Sequence, residues 1–340
     1  MKKFFFILAC VSMSVLSFGQ DNQLVWANGC LLYGTPIESI DSLTYDEMED
    51  VDTLHLLLPR TLIKVVHDTV YIHDTVYVET DCGEDTPSAG IGVFSVSADK
   101  QVTFSKGNLQ YHPANNKWRF AENQTDYIGD SNSNCSSTYT GWLDLFGWST
   151  SSTNFGVSTS EDYNDYSGSF VDWGTNTIGE DAPNTWRTLS KDEWMYIFYN
   201  RPNAQSLFAV GSVNGVNGTI ILPDNWTTPD GVSFVASTTQ GFYWNGVLYY
   251  NDNGTVNYSP HNNYTSEQWS EMEQSGAVFL SSSGNRLGTY VHFGIYGYYW
   301  SSIEENKYSA YNVTFSFYSL GPQNSYDRAL GQAVRLVKDL

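Results

Sequence analysis

Short runs of alternating apolar and polar residues, separated by Gly, Asn, Ser and Asp, fill the chain from residue 89 to the C-terminus. Val93-Phe94-Ser95-Val96 and Gln101-Val102-Thr103-Phe104 are examples. Such runs predict short, half-buried strands joined by polar turns. Two stretches change period. Ser190 precedes an apolar series at Trp194, Ile197 and Phe198, with Glu193 three residues after it. That spacing predicts a helix opened by a capping box, running to about Tyr199 and stopped before Pro202. A second helix is predicted from Thr265 or Ser266 through Trp269 and Met272 to Gln274, with Gly276 beyond its end. Many strands with two helices predict an α+β domain over residues 89–340.

The last strands carry the most informative alternation. Between Tyr308 and Leu320 the odd positions Tyr311, Val313, Phe315 and Phe317 read as the buried face of a strand. The even positions Tyr308, Ala310, Asn312, Thr314, Ser316 and Tyr318 then face solvent. Tyr290, His292, Phe293, Ile295, Tyr296, Tyr298 and Asn306 flank this strand on one side, and Ser325 and Tyr326 on the other. Tyrosine offers a large, rigid contact area, while Ser and Asn offer adaptable hydrogen bonds, so the set is a candidate ligand-binding face.

Before residue 89 the pattern differs. Met1-Lys2-Lys3, an apolar run from Phe4 to Leu16, and Ser17 and Gly19 before Gln20 predict a secretory signal peptide over residues 1–19. The run is too short to span a bilayer. The alternative, a lipidated Cys10 after Ile7-Leu8-Ala9, has little apolar sequence before it. Residues 20–50 form a small β segment, with a hairpin expected around Asn28-Gly29. Residues 51–88 contain a repeat, His67 to Ile72 and His73 to Val78. Read as one strand, it puts Val66, Val70, Ile72, Val76 and Val78 on one face. An isolated strand cannot hide that stripe, so residues 51–88 are expected to be an extended stalk that joins copies into a homo-oligomer. His67 and His73 share the other face but stand roughly 20 Å apart on an extended chain, too far for one ion.

Composition narrows the chemistry. With 37 acidic against 16 basic residues the formal net charge is −21, which repels nucleic acid and anionic lipid. No segment after the leader is apolar enough to be transmembrane. Export would leave Cys30, Cys82 and Cys135, an odd number with no CxxC pair, and so no zinc site is expected. His112, His261 and His292 have no Ser or Asp at a catalytic spacing. Glu161-Asp162 and Glu304-Glu305 are weighed as glycosidase carboxylates or calcium ligands and read as solvated surface. No Gly-rich phosphate loop is present, and no cofactor or metal is expected.

Several motifs, in order, resemble a known family. Trp186-Arg187-Thr188-Leu189-Ser190-Lys191-Asp192-Glu193-Trp194, Tyr298-Tyr299-Trp300-Ser301-Ser302 and Gly331-Gln332-Ala333-Val334-Arg335-Leu336-Val337 are similar to segments of formylglycine-generating-enzyme domains. Phe104 to Tyr111, Trp118 to Ala121, Trp142 to Trp148 and Leu222 to Trp226 extend the likeness to the bacterial domains called FISUMP, over about residues 90–337. The resemblance implies a C-type-lectin-like fold of antiparallel sheets with two helices. It withholds the enzyme's chemistry, because that family uses a cysteine pair late in the domain and this chain has no cysteine after Cys135. The C-terminal Tyr/Ser/Asn set also resembles the variable region of target proteins of diversity-generating retroelements.

Three readings follow. The first is an exported, non-enzymatic protein, secreted or at the cell surface, that binds a protein or carbohydrate ligand through the C-terminal face. The second is a structural adhesin or stalked surface subunit. The third is an oxidase of the formylglycine type.

Overall fold

A computed structural model of the chain describes residues 92–148, 157–237 and 261–340, together with the backbone of six short strands outside those ranges. The chain divides into two compact units, Met1–Thr86 and Pro87–Leu340. Residues 1–19, with the expected leader and Cys10, and the linker at 83–88 lie outside the described residues.

In the first unit, Asn22–Ala27 pairs antiparallel with Cys30–Pro36, and Ala27 opposite Cys30 closes the pairing around Asn28-Gly29. Of the expected stalk at residues 51–88, only two short strands are described. Lys64–Val66 pairs antiparallel with Thr69–Tyr71, so the chain turns back at His67-Asp68 instead of running on as one strand. Val65 lies opposite Val70, and Val66 opposite Thr69. Residues 72–91, including the second copy of the repeat, lie outside the described residues.

Among its described residues the second unit is mixed: several mainly antiparallel sheets and two short α-helices. The first, α1 (Lys191–Met195), opens with the expected box: Ser190 Oγ accepts from the Glu193 amide at 3.2 Å, and the Glu193 carboxylate accepts from the Ser190 amide at 2.7 Å. It continues as a π-helical turn over Tyr196–Asn200. The second, α2 (Ser266–Gln274), has the same reciprocal cap between Thr265 and Gln268, and buries Trp269 and Met272.

Two sheets position the candidate face. Their strands are β1 (Gly241–Trp244), β2 (Val247–Tyr250), β3 (Asn285–Leu287), β4 (Tyr290–His292), β5 (Gly297–Glu304), β6 (Ser309–Ser316), β7 (Ser319–Asp327) and β8 (Gly331–Gln332). The larger sheet has the order β1-β2-β7-β6-β5, and the smaller β4-β3-β8. In the larger sheet Tyr299 faces Val313 and Gly297 faces Phe315. This side packs into a core with Phe94, Leu145, Trp194, Phe198 and Phe208. A Cβ on Gly297 would stand 2.0 Å from the Phe315 ring, so only glycine fits opposite that phenylalanine.

The other side of the sheet is covered as well. Trp300 and Ala310 enter a second core with Phe146, Trp148, Trp173 and Val334. Residues 331–333 extend the sheet along the β5 edge, Ala333 donating to Tyr298 O at 3.0 Å and accepting from the Trp300 amide at 3.1 Å, and Phe146 pairs in turn with Gln332 through two bonds, each 2.9 Å. Trp300 Nε1 donates to Phe146 O at 2.7 Å and Trp148 Nε1 to Ser301 O at 2.8 Å. This covering overturns part of the expected binding face. Asn312 and Ser316 are 0% exposed and Thr314 is 8% exposed. Their polar groups are satisfied internally: Asn312 Nδ2 donates to Gln332 Oε1 at 2.6 Å, Thr314 Oγ1 to Asn312 Oδ1 at 3.3 Å, and the hydroxyls of Ser316 and Ser319 share a bond of 3.1 Å. A polar alternation marks solvent only when one face of the sheet is open, and here both are closed.

The chain's end closes the domain. Leu336–Asp339 pairs with both Gln101–Phe104 and Arg187–Thr188. Arg187 makes a two-pronged bond to Glu193, at 2.8 and 2.9 Å, and reaches Asp339 at 2.6 Å, tying the start of α1 to the last strand. These carboxylates hold the Arg187 guanidinium firmly charged against its partial burial.

Candidate functional site

The longest exposed run of the candidate set is the β3–β4 hairpin and the loop after it, with Asn306, Tyr308 and Tyr318 exposed outside it. Leu287 and Tyr290 form the closing pair of the hairpin around Gly288-Thr289, and Gly288 has a φ of +57°. A two-residue loop needing positive φ explains glycine at that position. Tyr290 is 70% exposed, and Leu287, Phe293 and Ile295 are also exposed large side chains. His292 is exposed beside Tyr290, their rings nearly parallel with centroids 6.3 Å apart.

A backing layer supports this edge. Tyr127 packs against Phe293 at 5.6 Å, and the Phe293 ring lies over Gly129. Gly129 belongs to the 3-10 turn Gly129–Ser133, which packs against β4. The turn is anchored by Asp144 and Asn132. Asp144 accepts from the Ile128 amide at 2.9 Å and from Asn132 Nδ2 at 2.8 Å. Asn132 Oδ1 accepts in return from the amides of Asp144 and Leu145. Burial, opposed by these hydrogen bonds, pushes the Asp144 carboxyl up to about 6. Arg286, fully buried on β3, donates to the carbonyls of Ser158, Gly288 and Leu145, and so fixes the hairpin tip to two other loops.

Next to the hairpin four tyrosines meet. The hydroxyls of Tyr296 and Tyr318 lie 3.3 Å apart, the rings of Tyr296 and Tyr298 6.0 Å, and those of Tyr298 and Tyr326 5.4 Å. Tyr318 is exposed and the others half-buried. Burial first, then the neighbouring Tyr326 and Tyr296, raises the Tyr298 hydroxyl well above its usual range, and burial raises Tyr326. The Tyr298 and Tyr326 phenols are therefore neutral donors and acceptors at ordinary pH.

The remaining candidates are elsewhere. Asn306 and Tyr308 lie in the β5–β6 turn, roughly 20 Å along the strand from Tyr298. Asn306 Oδ1 accepts from the Tyr308 and Ser309 amides, a turn-forming role, and Tyr308 packs edge-on against Tyr163 at 4.5 Å. Ser325 is half-buried on β7 opposite Tyr311. Leu287, Thr289 and Tyr127 join the face without having been expected. Leu287 and Thr289 were legible as the frame of a Gly-containing two-residue turn, whereas Tyr127 lies far away in sequence and has no local signal.

Among the described residues no group of three or more His, Cys, Asp or Glu side chains gathers as a metal would require, and no helix is long and apolar enough to cross a membrane. Cys135 is a free, half-buried thiol donating to Asn132 O at 3.3 Å; burial raises it, against a smaller lowering by Arg286. Comparison with models of known families, with curated proteins and with solved structures finds no match.

Proposed function

We propose that the chain is an exported, non-enzymatic binding protein on a C-type-lectin-like scaffold, and that its docking face is the β3–β4 hairpin with the loop to Tyr296, edged by Tyr318. One observation carries this reading. Four of the large apolar side chains exposed among the described residues, Leu287, Tyr290, Phe293 and Ile295, fall within nine residues of chain. A cluster of exposed apolar groups on a folded domain marks an interaction site more often than scattered ones do. The same stretch is free of charge: no Asp, Glu, Lys or Arg occurs from Leu287 to Ile303, in a chain that is 16% charged. An interface core excludes charge and favours aromatics in the same way.

The scaffold assignment is supported by the order of the motifs and by the mixed architecture with two short helices. Export is supported by the leader pattern. The reading is tested by selecting protein and glycan ligands on displayed libraries and arrays, then repeating capture with a Tyr290→Ser, Phe293→Ser, Ile295→Ser triple variant. Loss of capture with unchanged circular dichroism is expected. Capture that survives all three changes places the ligand elsewhere.

A further inference from the structure

We infer that Asp144 and Asn132 form a proton-operated latch, which docks the turn at residues 128–133 beneath the β4 edge when Asp144 carries a proton and loosens it when Asp144 is ionised. Asp144 is completely buried, and among the described residues no cationic group lies within ion-pairing distance of it. An ionised carboxylate in that position keeps only neutral amide donors, two in number besides its own backbone. Opening the turn returns it to water. Burying such a charge without a partner is costly, so ionisation favours the open form.

The groups around the latch are Tyr127 and Asp130 on the turn, Cys135 just after it, Arg286 on β3 and His292 on β4. Tyr127 is raised by burial and then by the charge of Asp144. Asp130 is exposed. Cys135 donates to Asn132 O, at the other partner of the latch. Arg286 directs its guanidinium to the carbonyl of Leu145 at 3.4 Å, next to Asp144 but not to its carboxylate. The turn carries Gly129 under Phe293, so its docking sets how firmly the apolar edge is backed. That consequence rests on the binding reading above; the latch itself does not.

The sign follows from linkage. Asp144 binds its proton more tightly in the closed form than in water, so closure is favoured fully below the ordinary carboxyl range, and the gain is lost as pH rises through about 6. Amide hydrogen exchange of the full chain, corrected for intrinsic rates, reads this directly between pH 4.5 and 8. The opening constant of residues 127–134 and 290–293 is expected to rise about tenfold per pH unit up to pH 6 and then level off. Asp144→Asn is expected to flatten the profile, and His292→Gln to leave it unchanged. A flat wild-type profile overturns the latch even if the Asn variant does not fold. So does a step that persists in Asp144→Asn or disappears in His292→Gln. No ligand enters the measurement, so its failure leaves the docking face standing, and failure of the docking face leaves the latch standing.

Discussion

Asn312 donates its side-chain amide to Gln332 Oε1 across 2.6 Å of fully buried space, joining the central sheet to the segment paired along its β5 edge. Asn312→Ala leaves that oxygen without its donor. A loss of about 1–3 kcal/mol is expected, the cost of an unsatisfied buried polar group. Urea unfolding monitored by tryptophan fluorescence measures it. Ligand capture at the β3–β4 edge should be unchanged, and a variant as stable as wild type removes the structural role assigned to Asn312.

Gly297→Ala meets the Phe315 ring directly. The clash is expected to lower stability by about 1–3 kcal/mol, as overpacking of a tight core does. Adding Phe315→Leu should restore part of that loss. Additive losses in the double variant, measured by thermal melts, show that the two positions are not coupled.

The two capping boxes should differ. Thr265→Ala at the start of α2 loses one cap on an exposed end, at about 1 kcal/mol. Ser190→Ala also disturbs Glu193, which Arg187 holds against Asp339 of the last strand. The Ser190 variant is therefore expected to be the less stable of the pair, and equal losses contradict the link.

Tyr290 and Ile295 lie on the surface, and removing them should hardly touch the fold, whereas Phe293 also packs on Tyr127. The Tyr290→Ser and Ile295→Ser variants are expected to stay within about 0.5 kcal/mol of wild type, the usual range for surface changes. Unfolding curves run beside the capture assay check this. A large drop for Tyr290→Ser shows that the ring supports the hairpin instead of waiting for a partner.

Alkaline pH should weaken the tyrosine cluster. Tyr298 is raised by burial and by Tyr326 and Tyr296, so the folded state resists ionising it. Its contribution is fully present below about pH 10, where free tyrosine ionises, and falls as pH rises beyond that. The melting temperature followed from pH 8 to 11 should decline less steeply in Tyr298→Phe than in wild type. Parallel curves contradict the cluster's role.

Sequence alone determined the local devices. Ser190 with Glu193 set the first helix start, and Thr265 stood as one of two candidate starts for the second, because a cap is a bond between residues three apart. Period-two alternation placed Val313 and Phe315 in the core, because it is written into the pleat. What lies over the other face was not local. Asn312, Thr314 and Ser316 look like surface residues until Phe146, Trp148 and Trp173 pack with Trp300 and Ala310 on that side of the sheet, and those aromatics lie up to about 170 positions away in the chain. Tyr290, His292, Phe293 and Ile295 were already candidates; the tertiary structure alone showed that they, with Leu287, keep the exposure that Asn312, Thr314 and Ser316 lose, and that Tyr127 backs them. A strand's pattern records which residues alternate; whether each side meets water or protein is decided by what packs there.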